Sequence, residues 1–255
     1  MKNGMITKLK SGENQIICFP YLGGYSSAFL NFASTINSDI EVWAINPPAH
    51  SRSNLKLLDN LDSLIELYYK EIKGIIKRDS IFFGHSMGGI GAYFLLQKFI
   101  QLNEIDVENV TLVLSACNIP DEFKTNNYSK LNDKDLIDHL ITYGGIPEEL
   151  LKEKSLLEYF LPVFRADFKI LEDSANLKYY PLKNKVYFMW GECDDIVPIN
   201  AVFQWDRYFL SDIELIIIKN GQHMFIYDKA TDVVNSFEEI INKNMKNLTL
   251  CKSKK

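Results

Sequence analysis

The sequence predicts an α/β protein, a mostly parallel sheet flanked by helices, and three observations carry that prediction. Six short apolar runs rich in β-branched and aromatic residues recur along the chain: QIICF, EVWAIN, SIFFG, VTLVLSAC, KVYFMWG and ELIIIKN. Runs of that length and composition are buried-strand signals. Between them lie longer stretches with apolar residues at three- and four-residue steps, clearest at Leu61, Leu64, Ile65, Tyr68, Ile72, Ile75 and Ile76, which share one face of a helix. The third observation is the alternation of the two patterns, which implies parallel strands joined by helical crossovers.

Taken in order, QIICF opens the sheet and runs into PYLGGYSSAF, where Gly23 and Gly24 allow a close backbone turn into a helix. EVWAIN follows and ends at PPAH. The Leu61 helix leads to SIFFG, which meets the next helix at a glycine-flanked serine, GHSMGG. After VTLVLSAC the alternation breaks, because Ile119 to Pro181 holds helix-like segments (LNDKDLIDHLITYGG, IPEELLKEKSLLEYFLPVF) and no strand pattern. A connection that long is usually functional, and a helical lid insertion over a binding site is expected; a purely structural excursion is the alternative. KVYFMWG and ELIIIKN complete the sheet. With 255 residues, 47% of them hydrophobic, the chain is expected to form one domain over 1–255 with the insertion at about 119–181 inside it.

Several function classes are excluded on composition. A net charge of −5 argues against nucleic acid, which needs a dense basic surface. Only the tail from Lys243 is basic, with Lys246, Lys252, Lys254 and Lys255, and it reads as a solvated, frayed terminus. The N-terminal MKNGMITKLKSGENQIICF has no continuous apolar stretch, and no window reaches membrane-spanning length, so a cytoplasmic protein without membrane association is expected. Cys18, Cys117, Cys193 and Cys251 form no CxxC pair and read as reduced, structural thiols. His50, His85, His139 and His223 include no pair at helical ligand spacing, so no metal is expected. With no pairing seam visible, a monomer is expected.

Gly84-His85-Ser86-Met87-Gly88 matches G-x-S-x-G where a strand meets a helix, the context in which a sharp turn exposes a nucleophilic serine. A serine needs a histidine to take its proton and a carboxylate to orient that histidine, here in the chain order serine, acid, histidine. His223, in NGQHMF beyond the last strand run, is the histidine that order selects: His50 precedes the serine, His85 adjoins it on the turn, and His139 lies in the insertion. The acid belongs in GECDDIVP, which offers Asp194 and Asp195 at a strand's carboxyl end. The spacing from Gly191 and the following Ile-Val-Pro favour Asp194, as in the G-x-x-D-x-I-V-P pattern of hydrolases of this shape; Asp195 is the alternative acid, otherwise solvated or capping the next helix. The oxyanion hole is expected from the backbone N–H groups of Met87 and Leu22, with Gly23 next in line.

At this point the chain resembles the type II thioesterases of nonribosomal peptide and polyketide synthase systems, members of the α/β-hydrolase superfamily. The resemblance runs through nearly the whole sequence and rests on CFPYLGG, INPPAH, FGHSMGG, LPVFRADFKILE, GECDDIVP and GQHMFI. RADF weighs most, because general esterases share the nucleophile turn but not this element. Ala49 stands where the family usually has glycine, and Gly89 where alanine is common. The resemblance implies a serine thioesterase that hydrolyses acyl thioesters on the phosphopantetheine arm of acyl or peptidyl carrier proteins, editing misloaded synthases or releasing product, with no cofactor of its own. Carrier proteins tend to be acidic, so Lys124, Lys130, Lys152, Lys154, Arg165, Lys169 and Lys178 in the insertion are a candidate docking patch or solvated helix faces. Arg165 and Asp167 could instead pair and brace the lid. A general carboxylesterase or lipase and a non-catalytic carrier-binding subunit are the competing readings.

Overall fold

The computed structural model describes residues 4–37, 39–51, 53–125, 127–142 and 154–252, with side chains from 157 to 244 in the last segment. Among the described residues seven strands form one sheet in the order β1-β3-β2-β4-β5-β6-β7. They are β1 (Ile6–Lys10), β2 (Asn14–Phe19), β3 (Ile40–Ile45), β4 (Ile81–His85), β5 (Thr111–Ser115), β6 (Val186–Gly191) and β7 (Ile213–Ile218). All pairs are parallel except β1 with β3. Six strands coincide with the six apolar runs. The seventh, ITKLK, alternates apolar residues with lysines on the sheet's edge, where one face meets water and the continuous apolar signature is lost.

The pleat divides the core in two. Ile17, Phe19, Phe82, Leu112 and Leu114 face α2 (Leu61–Ile72) and α3 (Met87–Leu102), while Ile16, Cys18, Phe83, Val113 and Met189 face α1 (Leu30–Thr35) and α8 (Ala230–Lys252). Asn60 caps α2, its side chain accepting from the Ser63 N–H at 3.0 Å. The helix is shorter than its apolar stripe suggests. It ends at Ile72, and the N–H groups of Ile75 and Ile76, just past Gly74, both turn back to the Ile72 carbonyl.

Between β5 and β6 the described residues are helical or irregular, with α4 (Asp133–Thr142) and α5 (Lys154–Ser174) as the main elements. Buried Leu157, Leu161, Phe164, Phe168 and Leu171 form the inner stripe of α5. The other α-helices among the described residues are α6 (Ile199–Gln204) and α7 (Phe225–Asp228). Backbone helix continues in α8 through Lys252 and Lys243 bonds Glu214 at 3.1 Å, so this part of the basic tail is ordered helix rather than a frayed end. The side chains of Lys246, Cys251 and Lys252 and all of Lys254 and Lys255 lie outside the described residues. Cys18 and Cys117 are buried thiols, but Cys193 is exposed. No described helix is long and apolar enough to cross a membrane.

Candidate active site

The end of β4 delivers Ser86 at φ 53°, ψ −121°, a backbone conformation that costs an L residue energy and is held by its surroundings. Its N–H donates to the Ser115 carbonyl on the neighbouring strand at 2.7 Å. Glycine is needed at 84 and 88 for clearance: a Cβ on Gly84 would lie 2.4 Å from the Gly88 carbonyl oxygen, and one on Gly88 would lie 2.0 Å from that of Phe19. Gly89 has a local reason as well, since a Cβ there would meet Cys117 Sγ at 2.6 Å. Met87 opens α3, so its N–H belongs to the first turn, where amides have no intrahelical partner.

His223 Nε2 lies 3.1 Å from Ser86 Oγ, and His223 Nδ1 lies 3.2 and 3.1 Å from the two carboxylate oxygens of Asp194. Asp194 is buried, and its Oδ1 also accepts from the N–H groups of Ile196 and Val197, both at 2.9 Å. Those bonds fix the carboxylate and satisfy it as an anion. Two loops carry this pair and are stitched together: Cys193 N–H donates to the Gly221 carbonyl at 2.9 Å, and a Cβ on Gly191 would sit 2.5 Å from that same oxygen. Asp195, one residue along, is exposed and α6 has no side-chain cap, which separates the two carboxylates that the sequence left adjacent.

The other histidines point elsewhere. His85 is fully buried, its Nδ1 2.8 Å from Ser115 Oγ and its ring 5.7 Å from that of His223. Burial first, and the neighbouring His223 second, push its pKa well down, so it is a neutral ring beneath the site. His139 stacks on Tyr128 inside the insertion at 3.8 Å between centroids. His50, set aside in the sequence as preceding the serine, bonds Asp167 Oδ2 at 3.0 Å.

Leu22 lies in the turn after β2, closed by Gly24 N–H donating to the Tyr21 carbonyl at 2.8 Å. Gly23 N–H is committed to Asp167 Oδ2 at 2.7 Å. Tyr21 and Tyr227 hydroxyls meet at 2.7 Å and tie this loop to α7, just beyond His223. Between Pro20, Tyr21, Met87 and Tyr68 remains a cavity of about 10 Å³, room for roughly one water.

Arg165 and Asp167 do not pair. The Arg165 guanidinium donates to the Ser129 carbonyl at 3.0 Å, to the Leu131 carbonyl and to Asp133 at 2.6 Å, while Asp167, two residues on, turns inward. Alternate residues on a helix point to different sides, so one motif serves two contacts. Among the docking candidates, Lys169 pairs with Asp173, and Lys124, Lys130 and Lys178 are exposed. Lys152 and the Lys154 side chain lie outside the described residues.

The chain is 26% identical over 222 residues to the gramicidin S biosynthesis protein GrsT of Aneurinibacillus migulanus, covering 86% of each. It is 23% identical to the probable anguibactin biosynthesis thioesterase AngT of Vibrio anguillarum, covering 88% of this chain and 89% of that one. Among solved structures, YbtT, a type II thioesterase from the yersiniabactin NRPS/PKS pathway, superposes with a TM-score of 0.79 at 25% identity over 93% of this chain and 97% of its own. BorB, the type II thioesterase from the borrelidin cluster, shares the fold with a TM-score of 0.79 at 23% identity, covering 94% of this chain and 98% of its own. Residues 14–241, from the first parallel strand to the last helix, match the thioesterase domain model, and the chain belongs to that family on an α/β-hydrolase fold.

Proposed function

We propose that this protein is a serine thioesterase that frees acyl groups from the phosphopantetheine arms of carrier proteins in nonribosomal peptide or polyketide biosynthesis. The observation that carries the reading is the 3.1 Å contact between His223 Nε2 and Ser86 Oγ, continued through Nδ1 to the buried Asp194. Relatives named for gramicidin S and anguibactin biosynthesis support the pathway class.

In the first half-reaction Ser86 Oγ attacks the thioester carbonyl as His223 Nε2 takes its proton, and the C–O bond forms while the carbonyl π bond becomes an oxyanion. The N–H groups of Met87 and Leu22 bind that oxygen. Collapse breaks the C–S bond, and the imidazolium gives its proton to the departing thiolate. Water, deprotonated by His223, then attacks the acyl-serine; the bond from the carbonyl carbon to Ser86 Oγ breaks as the imidazolium returns its proton to that oxygen, and the carboxylic acid leaves. Asp194 holds Nδ1–H throughout, so Nε2 starts each half-reaction as the acceptor. No step calls for a cofactor, and the acyl group arrives on the partner's arm in the cytoplasm. Lys124, Lys130 and Lys178 offer positive charge to an acidic carrier.

The test compares acetyl-phosphopantetheinyl carrier protein with a free short-chain ester, alongside a serine-directed fluorophosphonate. Preferred hydrolysis of the carrier-bound acetyl group, with labelling at Ser86, is the expected result. Equal or better turnover of the free ester would point to a general esterase, and absence of labelling to a non-catalytic carrier-binding role.

A further inference from the structure

Three stretches far apart in the chain meet at one backbone amide. Gly23 N–H donates to Asp167 Oδ2 at 2.7 Å, and the same oxygen lies 3.0 Å from His50 Nε2. Phe164, one turn before Asp167 on α5, packs on Gly23 so tightly that a Cβ there would come within 2.4 Å of its ring. Gly23 also sits at φ +72°, in the left-handed region. The loop after β2 is therefore gripped by one face of the insertion helix, by Phe164 through packing and by Asp167 through a hydrogen bond.

The protonation of this cluster follows from what its atoms can donate. His50 Nδ1 is 3.0 Å from the Pro48 carbonyl oxygen, which only accepts, so Nδ1 carries a hydrogen. Nε2 faces the Asp167 carboxyl, intrinsically a much stronger acid than an imidazolium, so the proton between them belongs to Nε2. His50 and Asp167 are thus an imidazolium and a carboxylate, each side chain 3% exposed. Buried charges persist when paired in this way. Burial by itself would lower the His50 pKa, but the Asp167 charge and hydrogen bond, with the Pro48 and Pro47 carbonyls, hold it above the ordinary histidine value. The pairing has a consequence for catalysis. A lone carboxylate beside the loop that receives an oxyanion would repel the developing charge, and the imidazolium cancels most of that field.

We propose that Asp167, neutralised by His50, is a positioning residue of the oxyanion hole: it clamps the Gly23 amide and so aims the preceding Leu22 N–H at the acyl oxygen, coupling the seating of α5 to assembly of the hole. The proposal rests on the serine thioesterase reading given above. The RADF element then serves the chemistry through the loop, with Asp167 acting on the Gly23 amide.

The experiment measures hydrolysis of the acetyl-carrier protein and the rate of fluorophosphonate labelling at Ser86, whose tetrahedral adduct also occupies the hole. Removing an oxyanion donor outright typically costs about 100- to 1,000-fold in kcat, and a misaimed donor less, so Asp167→Ala is expected to lose about 10- to 100-fold in kcat with KM within about threefold. Labelling should slow by a similar factor. Asp167→Asn, whose amide oxygen can still accept from Gly23, should recover most of the loss. Where the alanine variant does not fold, Asp167→Glu, which keeps the charge but shifts it by one methylene, should show the same kcat-selective loss. Folded variants with wild-type kcat, or with a change in KM alone, overturn the proposal. A wild-type protein that neither turns over nor is labelled overturns the thioesterase reading and this proposal together, whereas an active wild type beside equally active variants overturns this proposal alone.

Discussion

The imidazole of His223 bridges Ser86 and Asp194, with Nε2 3.1 Å from the serine Oγ and Nδ1 3.1 Å from the nearer carboxylate oxygen. Residues 137 and 29 positions away in the chain thereby act on one ring. Ser86→Ala should cut kcat by roughly three to six orders of magnitude with little change in melting temperature. Asp194→Asn should cost about 10⁴-fold, because an amide can donate to Nδ1 and turn the ring to the wrong tautomer. Asp195→Asn, at an exposed position, should leave steady-state hydrolysis within about twofold of wild type. A large loss at 195 with none at 194 would reverse the acid assignment.

Backbone geometry near the site predicts two opposite glycine effects. Gly88→Ala would drive a Cβ to 2.0 Å from the Phe19 carbonyl and 2.7 Å from that of Pro20, so backbone must move; a loss of about 1–3 kcal/mol or more is expected by chemical denaturation. Ala49 stands at φ 64°, where an L residue is strained by about 1–2 kcal/mol. Ala49→Gly removes that strain and adds the flexibility of glycine, about 0.5–1 kcal/mol, to the unfolded chain. A small net gain in the denaturation midpoint is expected.

The two charged residues of RADF should separate by experiment. Arg165→Ala removes the bonds to the Ser129 and Leu131 carbonyls and to Asp133, so amide exchange over 128–133 should quicken and stability fall by about 1–2 kcal/mol. Its kcat on a thioester should stay within about threefold, in contrast to the loss expected at Asp167. Equal kcat losses at both positions would mean that α5 acts only through its overall packing.

Stability should depend on pH through two histidines of opposite sign. His50, faced by Asp167 on α5 and by the Pro47 and Pro48 carbonyls, with Tyr68 of α2 near the carboxylate, has its folded pKa raised. Its contribution is complete below about 6.5, the unfolded value, and is lost as pH rises through the folded pKa. His85 is favoured neutral, so its contribution is present above about 6.5 and is lost as pH falls. Urea unfolding between about pH 5 and 9 should therefore show a maximum near neutrality. In His50→Gln the decline on the alkaline side should flatten, and an unchanged slope would show that the His50 pair is not ionised as described.

Much of this molecule was legible from spacing. Six strand runs, the glycine-flanked serine and the order serine, acid, histidine were all local or sequential patterns. β1 was missed because an edge strand with lysines on its wet face carries half the apolar signal of a buried one. The last turn of the α2 stripe was misread because Ile75 and Ile76 are half-buried through a tight turn, which periodicity alone does not distinguish from helix.

What the sequence by itself determined is the fold class and a short list of chemical groups, since hydrophobic period and chain order are properties of neighbours along the chain. Tertiary structure decided which groups meet. Asp194 and Asp195 are chemically identical neighbours, and only the direction each side chain takes from the loop after β6 buries one against His223 and leaves the other in water. His50 and Asp167 stand 117 positions apart, and neither pattern nor order could join them to Gly23. Packing α5 across the carboxyl end of the sheet does so, because a buried carboxylate must find donors, and in this fold the donors within reach are the His50 ring and the Gly23 amide.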